Sequence, residues 1–280
     1  MTNRGWLPLS GLSAAVVIVA VAHGSPAAIQ TRAGGRGTIK GHIRLTGKLP
    51  GNPVIRMGMD PKCAQTNAGK RVVQETVAAS LDGSLANVFV SLQGAFPDTP
   101  VPTQPVTIGQ RGCVYSPRVV GLQVGQTLQI RNDDDLMHNV HSLSARGNSF
   151  NVSEPKAGMV QQFRLKDEEV MLRVKCDIHS WMTAYVGVVN HPYFAVSTVA
   201  GTFEIDNVPP GNRTIQAWHE RYGPLTKTVR VQAGSATTVD FVYTGSEKPQ
   251  AGVVRDPPAP IICETTSLGR LLSGRGGLDG

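Results

Sequence analysis

The chain has 280 residues, of which 17% are charged and 5% aromatic, with 31 glycines and 19 prolines. Such a composition favours many turns and short strands over long amphipathic helices. The formal net charge is +7, but no block of Lys and Arg concentrates it. We therefore expect a globular protein without a nucleic-acid partner.

The first 27 residues have the pattern of a secretory signal. Arg4 precedes an apolar run from Leu7 to Ala22, and small residues follow at Ser25-Pro26-Ala27. A basic start, an apolar middle and a small-residue end are typical of a cleaved signal peptide. An uncleaved anchor is the alternative, but the run is short and interrupted for a membrane span. We expect a periplasmic or otherwise exported chain, with no membrane span after signal removal.

Residues 36–99 read as an N-terminal β segment. Apolar and polar residues alternate over Gly37–Leu45, Val73–Ala78 and Ala86–Leu92, which predicts three strands. A proline-rich connection, residues 96–105, follows them. These features predict an all-β fold.

Two short motifs carry soft metal donors. The first is Cys176-Asp177-Ile178-His179-Ser180-Trp181-Met182, and the second is His138-Asn139-Val140-His141. Thiolate, thioether and imidazole together suit copper, and two His with one Cys and a weak axial Met describe a blue-copper site.

The surrounding pattern places both motifs at strand ends. Val170, Leu172 and Val174 alternate with polar or larger residues, so Cys176 continues an apolar face and its sulfur should point inward. A further strand is predicted over 184–189, which puts the Cys motif on a tight turn. His138 follows a strand over 127–131 and an Asn/Asp turn.

At these residues the sequence resembles the cupredoxins, in particular the amicyanin/plastocyanin-like blue copper proteins. The resemblance runs from about Ile108 to Val189 and implies a Greek-key β-sandwich over residues 100–190. It also implies that a single type 1 copper ion is held by His138, Cys176, His179 and Met182. Asn139 would then join the two ligand-bearing loops by hydrogen bonds.

By the same resemblance, the protein would be a one-electron carrier and not an enzyme. His179 would lie near the surface as the electron port, with Trp181 as the docking candidate on an apolar rim. The partners would be periplasmic redox proteins, either a dehydrogenase or a cytochrome c. Ile178 and Ser180 stand where related loops carry proline, and their N–H groups would raise the reduction potential by bonding the thiolate.

The two motifs also allow other interpretations. A lone Cys-x-x-His is usually a packed thiol beside an unrelated imidazole, and zinc is the second choice of metal, because Met is a poor zinc ligand. A binuclear copper site needs a second Cys where Ser180 stands and is excluded. His141 has the opposite strand parity to His138, so we expect it at the surface or behind the ligands.

The C-terminal part predicts a second, small β-sandwich over residues 191–245. Its pattern from Gly201 to Gly211 resembles the carboxypeptidase regulatory-like, transthyretin-type modules. The N-terminal β segment either pairs with this sandwich or extends the sheet of the copper domain. Residues 246–280, rich in Pro, Gly and Ser, read as a disordered tail.

The four cysteines fit an exported protein. If Cys176 binds copper, Cys63 and Cys113 are the natural disulfide pair, and Cys263 is left over in the tail. Two rival functions stay open. One is an envelope- or carbohydrate-binding module, suggested by the second sandwich. The other is a nitrite-reductase-type enzyme, which would need a second copper ion and more histidines.

Overall fold

The structure is a computed structural model that describes residues 1–2 and 35–247. The predicted signal peptide, most of the predicted tail and Cys263 lie outside the described residues. Over residues 35–247 the regular secondary structure consists almost entirely of strands, so the predicted all-β fold is confirmed.

The strands are numbered in chain order. They are β1 (Gly37–Leu45), β2 (Phe89–Gln93), β3 (Val106–Gln110), β4 (Tyr115–Ser116), β5 (Val119–Gln123), β6 (Thr127–Asn132), β7 (His138–Leu143), β8 (Asn151–Glu154), β9 (Val160–Arg164), β10 (Glu169–Lys175), β11 (Thr183–Val189), β12 (Phe194–Val196), β13 (Thr202–Val208), β14 (Gly211–His219), β15 (Gly223–Val231), β16 (Ala236–Thr238) and β17 (Phe241–Tyr243).

Strands β3 to β11 form a cupredoxin-like β-sandwich. One sheet has the order β5-β11-β10-β7-β8, and the other has the order β4-β3-β6-β9. The pairs β5/β11 and β3/β6 are parallel, whereas the remaining pairs of these sheets are antiparallel. Side chains such as Ile108, Leu128, Ile130 and Val186 are fully buried between the two sheets. Their burial supplies the apolar contacts that hold the sandwich together.

A second sandwich combines the two ends of the described chain. Strand β1 pairs with β13, β16 and β17, and β2 pairs with β12 and β14. The N-terminal segment thus completes a sandwich with the segment after residue 190. Its core includes Ile39, Ile43, Ile215, Phe241 and Tyr243. The division of the chain into domains stays a prediction.

The two sandwiches pack against each other through a small apolar cluster. Phe89 of β2 and Trp218 of β14 meet Val119, Met171 and Tyr185 of the first sandwich. Glycine is needed where the Phe89 ring lies on β11, because a Cβ on Gly187 would come within 2.5 Å of that ring. A buried ion pair joins the same sandwiches, with Arg118 Nε 2.5 Å from Glu220 Oε1.

Local details differ from the sequence prediction at three places. Residues 73–78 form no regular strand, since the Asn52 side chain binds both backbone groups of Val77. A short helix, α1 (Pro61–Thr66), was not predicted, although Asp60 caps it through the N–H of Cys63. A bulge at Met171, with φ of 69°, buries Met171 and exposes Val170.

Within the part of the chain that the structure describes, no helix is long and apolar enough to cross a membrane.

Candidate metal centre

Three of the four predicted ligands meet in one buried pocket. The Nδ1 atoms of His138 and His179 lie 3.1 Å apart, and Cys176 Sγ lies 3.7 Å from His179 Nδ1. One ligand atom from each of the three residues lies within 4.8 Å of the others. None of the three side chains is more than 1% exposed. The sequence places these residues up to 41 positions apart, and the fold brings them together.

The strand pairing explains this convergence. Strands β10 and β11 form an antiparallel pair that closes at Lys175 and Thr183, so Cys176 and His179 lie on the turn between them. Strand β10 pairs with β11 along one edge and with β7 along the other, where His141 is opposite Lys175. The first residue of β7, His138, is therefore carried to the same end of the sheet.

Met182, the fourth predicted ligand, lies at the end of the same turn. Its N–H donates to the carbonyl oxygen of His179 (2.8 Å), and its own carbonyl accepts from the N–H of Cys176 (3.2 Å). The side chain is buried in the core of the first sandwich. Its role as an axial ligand stays a prediction.

The Cys176 sulfur accepts several hydrogen bonds. The backbone N–H groups of Asn139 and His179 donate to it over 3.3 and 3.4 Å. Burial opposes ionisation of this thiol, but bonds from the His179 ring and from backbone N–H groups, including that of Ile178, outweigh burial and lower the pKa of Cys176. The protein thus favours a thiolate, which is the form that binds metals.

Each imidazole is bound on its far side by an aspartate. Asp134 Oδ2 lies 2.9 Å from His138 Nε2, and Asp60 Oδ2 lies 3.0 Å from His179 Nε2. A carboxylate at Nε2 keeps the proton on that nitrogen and leaves Nδ1 as the inward-facing lone pair. The bond to His179 lowers the pKa of Asp60, so this carboxyl stays ionised at neutral pH.

Asp134 is held in place by the backbone as well. Its two oxygens accept from the N–H groups of Gly112 and Cys113 at 2.7 and 2.8 Å. Burial acts to raise the pKa of Asp134, but the bonds from His138 and from these two N–H groups lower it. The imidazole of His138 is thereby oriented by a carboxylate that cannot rotate freely.

Residues 53–72, called the cap segment below, cover the outer edge of His179. The cap segment contains a short 3₁₀ turn (Met57–Met59) followed by α1. A disulfide joins Cys63 of α1 to Cys113, the pair put forward from the sequence, and Cys63 Sγ lies 3.5 Å from His179 Nε2. The expectation that His179 lies near the surface is therefore wrong, because the cap leaves it 1% exposed.

Trp181, the predicted docking residue, is partly buried beside the same disulfide. Its indole N–H donates to the carbonyl oxygen of Cys113 (2.8 Å), and its ring lies 5.2 Å from that of His179. Met182, the other residue of the expected apolar rim, is buried. The expected centre of that rim, His179, and one of its members, Met182, thus lie inside the protein.

Asn139 links the two ligand-bearing segments, as the resemblance implied. Its Oδ1 accepts from the N–H of Asp177 on the Cys turn (3.1 Å), while its Nδ2 donates to Asn151 and Val152 of β8. His141 is partly exposed and binds the carboxylate of Asp177 at 3.0 Å. It therefore lies behind the ligands and outside the pocket.

A buried carboxyl also lies close to the centre. Glu154 is opposite His138 in the β7/β8 pair and is fully buried, with the amide of Gln110 as a hydrogen-bond donor. Burial is the main cause that raises the pKa of Glu154 to about 7. This carboxyl is therefore much less acidic than Asp60 and Asp134, so it contributes less fixed negative charge near the pocket.

The donor set fits copper. A thiolate and two imidazole Nδ1 atoms face one another in a pocket from which water is excluded, and their positions are fixed by backbone and carboxylate bonds. Such a set of soft and borderline donors suits copper in either oxidation state. The residues that would hold the ion are His138, Cys176 and His179, with Met182 as the expected fourth.

Sequence reasoning missed both aspartates at the far sides of the imidazoles. Asp134 had a local signal, because an acidic residue four positions before a ligand His can reach its ring. Asp60 had no such local signal in the sequence, since it is 119 positions from His179.

Comparison with known proteins gave structural neighbours only. No family model matches the sequence, and no curated protein matches it. The chain is similar to a purple cupredoxin from Nitrosopumilus maritimus, with 25% identity, a TM-score of 0.26, and coverage of 29% of this chain and 97% of that one.

Two other solved structures illustrate the range of neighbours. A reduced amicyanin variant is 17% identical, with a TM-score of 0.28 and coverage of 35% of this chain and 97% of that one. The copper-containing nitrite reductase NirK from Thermus scotoductus SA-01 is 21% identical, with a TM-score of 0.27. There the match covers 34% of this chain and 24% of the reductase.

Proposed function

We propose that this protein is an exported type 1 (blue) copper protein that carries single electrons between periplasmic redox partners. The observation that carries the proposal is the convergence of His138 Nδ1, His179 Nδ1 and Cys176 Sγ in one buried pocket. Copper bound there would supply a reversible one-electron couple.

The protein's part in this function is to keep the ligands in one arrangement. Asp60 and Asp134 fix the imidazole rings, and backbone N–H groups fix the sulfur. A pocket that does not rearrange between oxidation states lowers the cost of gaining or losing an electron. Burial of all three side chains keeps water away from the ion.

The distribution of metal-binding residues favours a carrier over an enzyme. Among the described residues, every group of three or more His, Cys, Asp and Glu side chains with metal-binding spacing includes His138 or His179. His42, His191 and His219 lie apart and are bonded to other groups, for example His191 Nε2 to the carbonyl of Leu92. This supports one copper ion per chain. The proposed partner, a dehydrogenase or a cytochrome c, is what the resemblance to the cupredoxins implies.

Export is supported by the disulfide between Cys63 and Cys113, because disulfides persist in oxidising compartments. The sequence signal in residues 1–27 points to the same compartment. A thiolate copper site beside a disulfide is also consistent with metal loading outside the cytosol.

Metal analysis with optical spectroscopy tests the proposal. The purified, oxidised protein should contain one copper per chain and show intense visible absorption from the thiolate–copper bond. Cys176→Ser is the matched control, since it removes the sulfur and should abolish the colour while the fold remains. A colourless wild-type protein that still binds copper would rule out a type 1 site. Two copper ions per chain would favour the enzyme alternative.

A further inference from the structure

The cap segment, residues 53–72, forms a thin and accessible cover over His179. Asp60 contacts the imidazole directly, and the residue before it, Met59, is 94% exposed. A molecule seated on Met59 is thus one residue away from a group bonded to a copper ligand. Electron exchange through this cover needs no opening of the pocket.

The cap segment is strongly basic. It carries Arg56, Lys62, Lys70 and Arg71, all exposed, against a single acidic residue, Asp60, which is bound to His179. Arg111 lies at the edge of this surface, because the Asn67 amide of the cap donates to the carbonyl of the neighbouring Gly112. The Arg111 side chain is 77% exposed and lies 3.8 Å from the carboxylate of Asp133. The surface over His179 is therefore positive.

The acidic groups next to this surface do not cancel its charge. Asp133 is paired with two guanidinium groups, that of Arg131 at 2.7 Å and that of Arg111 at 3.8 Å, so these three residues together keep one positive charge. Asp134 is buried against His138. Asp135 is exposed, and the ammonium group of Lys62 donates a hydrogen bond to its backbone carbonyl. Glu75 is exposed as well and follows Gln74, whose N–H donates to the carbonyl of Pro53 in the cap. Two exposed carboxylates, Asp135 and Glu75, thus lie beside the four exposed basic residues of the cap, so the net charge stays positive.

The exposed side of the Cys turn lacks such a charge. Asp177 is paired there with Lys175 at 2.9 Å, so the two charges balance. Trp181, the residue that sequence reasoning favoured for docking, is partly buried beside the disulfide. Of these two faces in the described part of the chain, the cap is the one that carries a net charge for a charged partner to meet.

We propose that the cap segment is the docking face for a redox protein with a negatively charged surface, and that electrons pass through it to and from His179. This inference rests on the proposed copper function. Opposite charge on the partner would raise the encounter rate and orient the partner over Met59.

The test compares charge reversals on and off the cap. Lys62→Glu and Arg71→Glu reverse charges on the cap, and Arg230→Glu makes the same charge change on an exposed residue of β15. Stopped-flow oxidation of each reduced copper protein would use an acidic and a basic cytochrome c as probes. Each rate is measured at an ionic strength of about 0.01 M, where charges act over about 30 Å, and again at about 1 M.

The proposal predicts a site-specific effect. At low ionic strength the wild type should react faster with the acidic cytochrome, and each cap variant should slow that reaction by about 3- to 10-fold. Arg230→Glu should change it by less than about 2-fold, and high salt should remove the differences. With the basic cytochrome the cap variants should react faster than the wild type.

Two results would overturn the docking face and leave the copper function intact. One is an equal effect of Arg71→Glu and Arg230→Glu in proteins that keep the wild-type copper spectrum. The other is a slow reaction in Trp181→Lys with no change in the cap variants, which would place docking on the Cys turn. Absence of bound copper would remove the proposed function itself, and the docking inference with it.

Discussion

Asp60 and His179 are 119 positions apart in the sequence, yet Asp60 Oδ2 lies 3.0 Å from His179 Nε2. This contact does two things at once. It fixes the ring so that Nδ1 faces the pocket, and it brings the cap segment over the imidazole edge. The orientation of a ligand and the cover of the site thus depend on one carboxylate.

The charge of Asp60 should tune the metal. In Asp60→Asn the side chain still accepts a hydrogen bond but carries no charge, so the imidazole becomes a weaker donor. We expect copper affinity to fall by about 10- to 100-fold and the reduction potential to rise, because the oxidised ion depends more on donor strength. Competition with a chelator measures the copper affinity, and redox titration measures the reduction potential.

The control for this change is Asp135→Asn. Asp135 is exposed, and its loss makes the same change in net charge without touching His179. If both variants bind copper equally well and share one potential, the Asp60 contact has no influence on the metal.

The ligand set was accessible to sequence analysis because it is local. Cys176 and His179 lie on one turn, and the alternation before Cys176 showed which way its sulfur points. His138 was found through its own short motif. The structure places these three together, and binding of copper by them stays a prediction.

The cap was not accessible in the same way. Its helix has only six residues, and its contacts reach Cys113 and His179 across 50 and 116 positions from Cys63. Periodicity reports which face of a strand is buried, but it does not report what lies over a turn. The bulge at Met171 was missed for a similar reason, since one extra residue reverses the alternation that the prediction used.

The N–H of Ile178 offers a test of sulfur hydrogen bonding. This group is one of the backbone donors that lower the pKa of Cys176. Ile178→Pro removes the donor, so the thiolate gives more charge to the metal and the reduction potential should fall. Ile178→Val keeps the backbone N–H and changes only an exposed side chain. It should leave the reduction potential unchanged. Redox titration of both variants measures the two potentials, and an unchanged or higher potential in Ile178→Pro would refute this role.

His219 should make the second sandwich sensitive to acid. Burial, with smaller effects from Arg118 and Arg221, lowers the pKa of His219 from 6.5 to about 3. Above pH 6.5 the ring is neutral in both the folded and unfolded states, so it has no effect on stability. Below pH 6.5 the imidazole of His219 is protonated in the unfolded chain but stays neutral in the folded protein. Stability then falls by about 1.4 kcal/mol per pH unit until pH 3.

The variant His219→Asn isolates this contribution. Asn retains an oxygen that can accept from the N–H of Arg221, as Nδ1 of His219 does now, but it does not titrate. Between pH 7.5 and 4.5 the metal-free wild type should lose about 2 to 3 kcal/mol more unfolding free energy than the variant. Urea unfolding at the two pH values measures this. Equal losses would mean that His219 takes up a proton in the folded protein.

A substitution at Gly187 tests how the two sandwiches pack against each other. In Gly187→Ala the new Cβ would lie 2.5 Å from Cε2 of Phe89, so the ring must move and the packing of the interface must change. Overpacking of this kind costs about 1 to 3 kcal/mol. Gly51→Ala is the control, because no atom lies within 4 Å of its Cβ, and it should leave the unfolding free energy nearly unchanged.

A second substitution shows whether Phe89 is the cause. Phe89→Leu removes the part of the ring that Gly187→Ala would strike, so the double variant should lose less stability than the two single losses added together. Denaturant unfolding of the four proteins gives this coupling energy. If the losses simply add, the clash with Phe89 is not what destabilises Gly187→Ala, and the close approach of β11 to β2 does not require glycine.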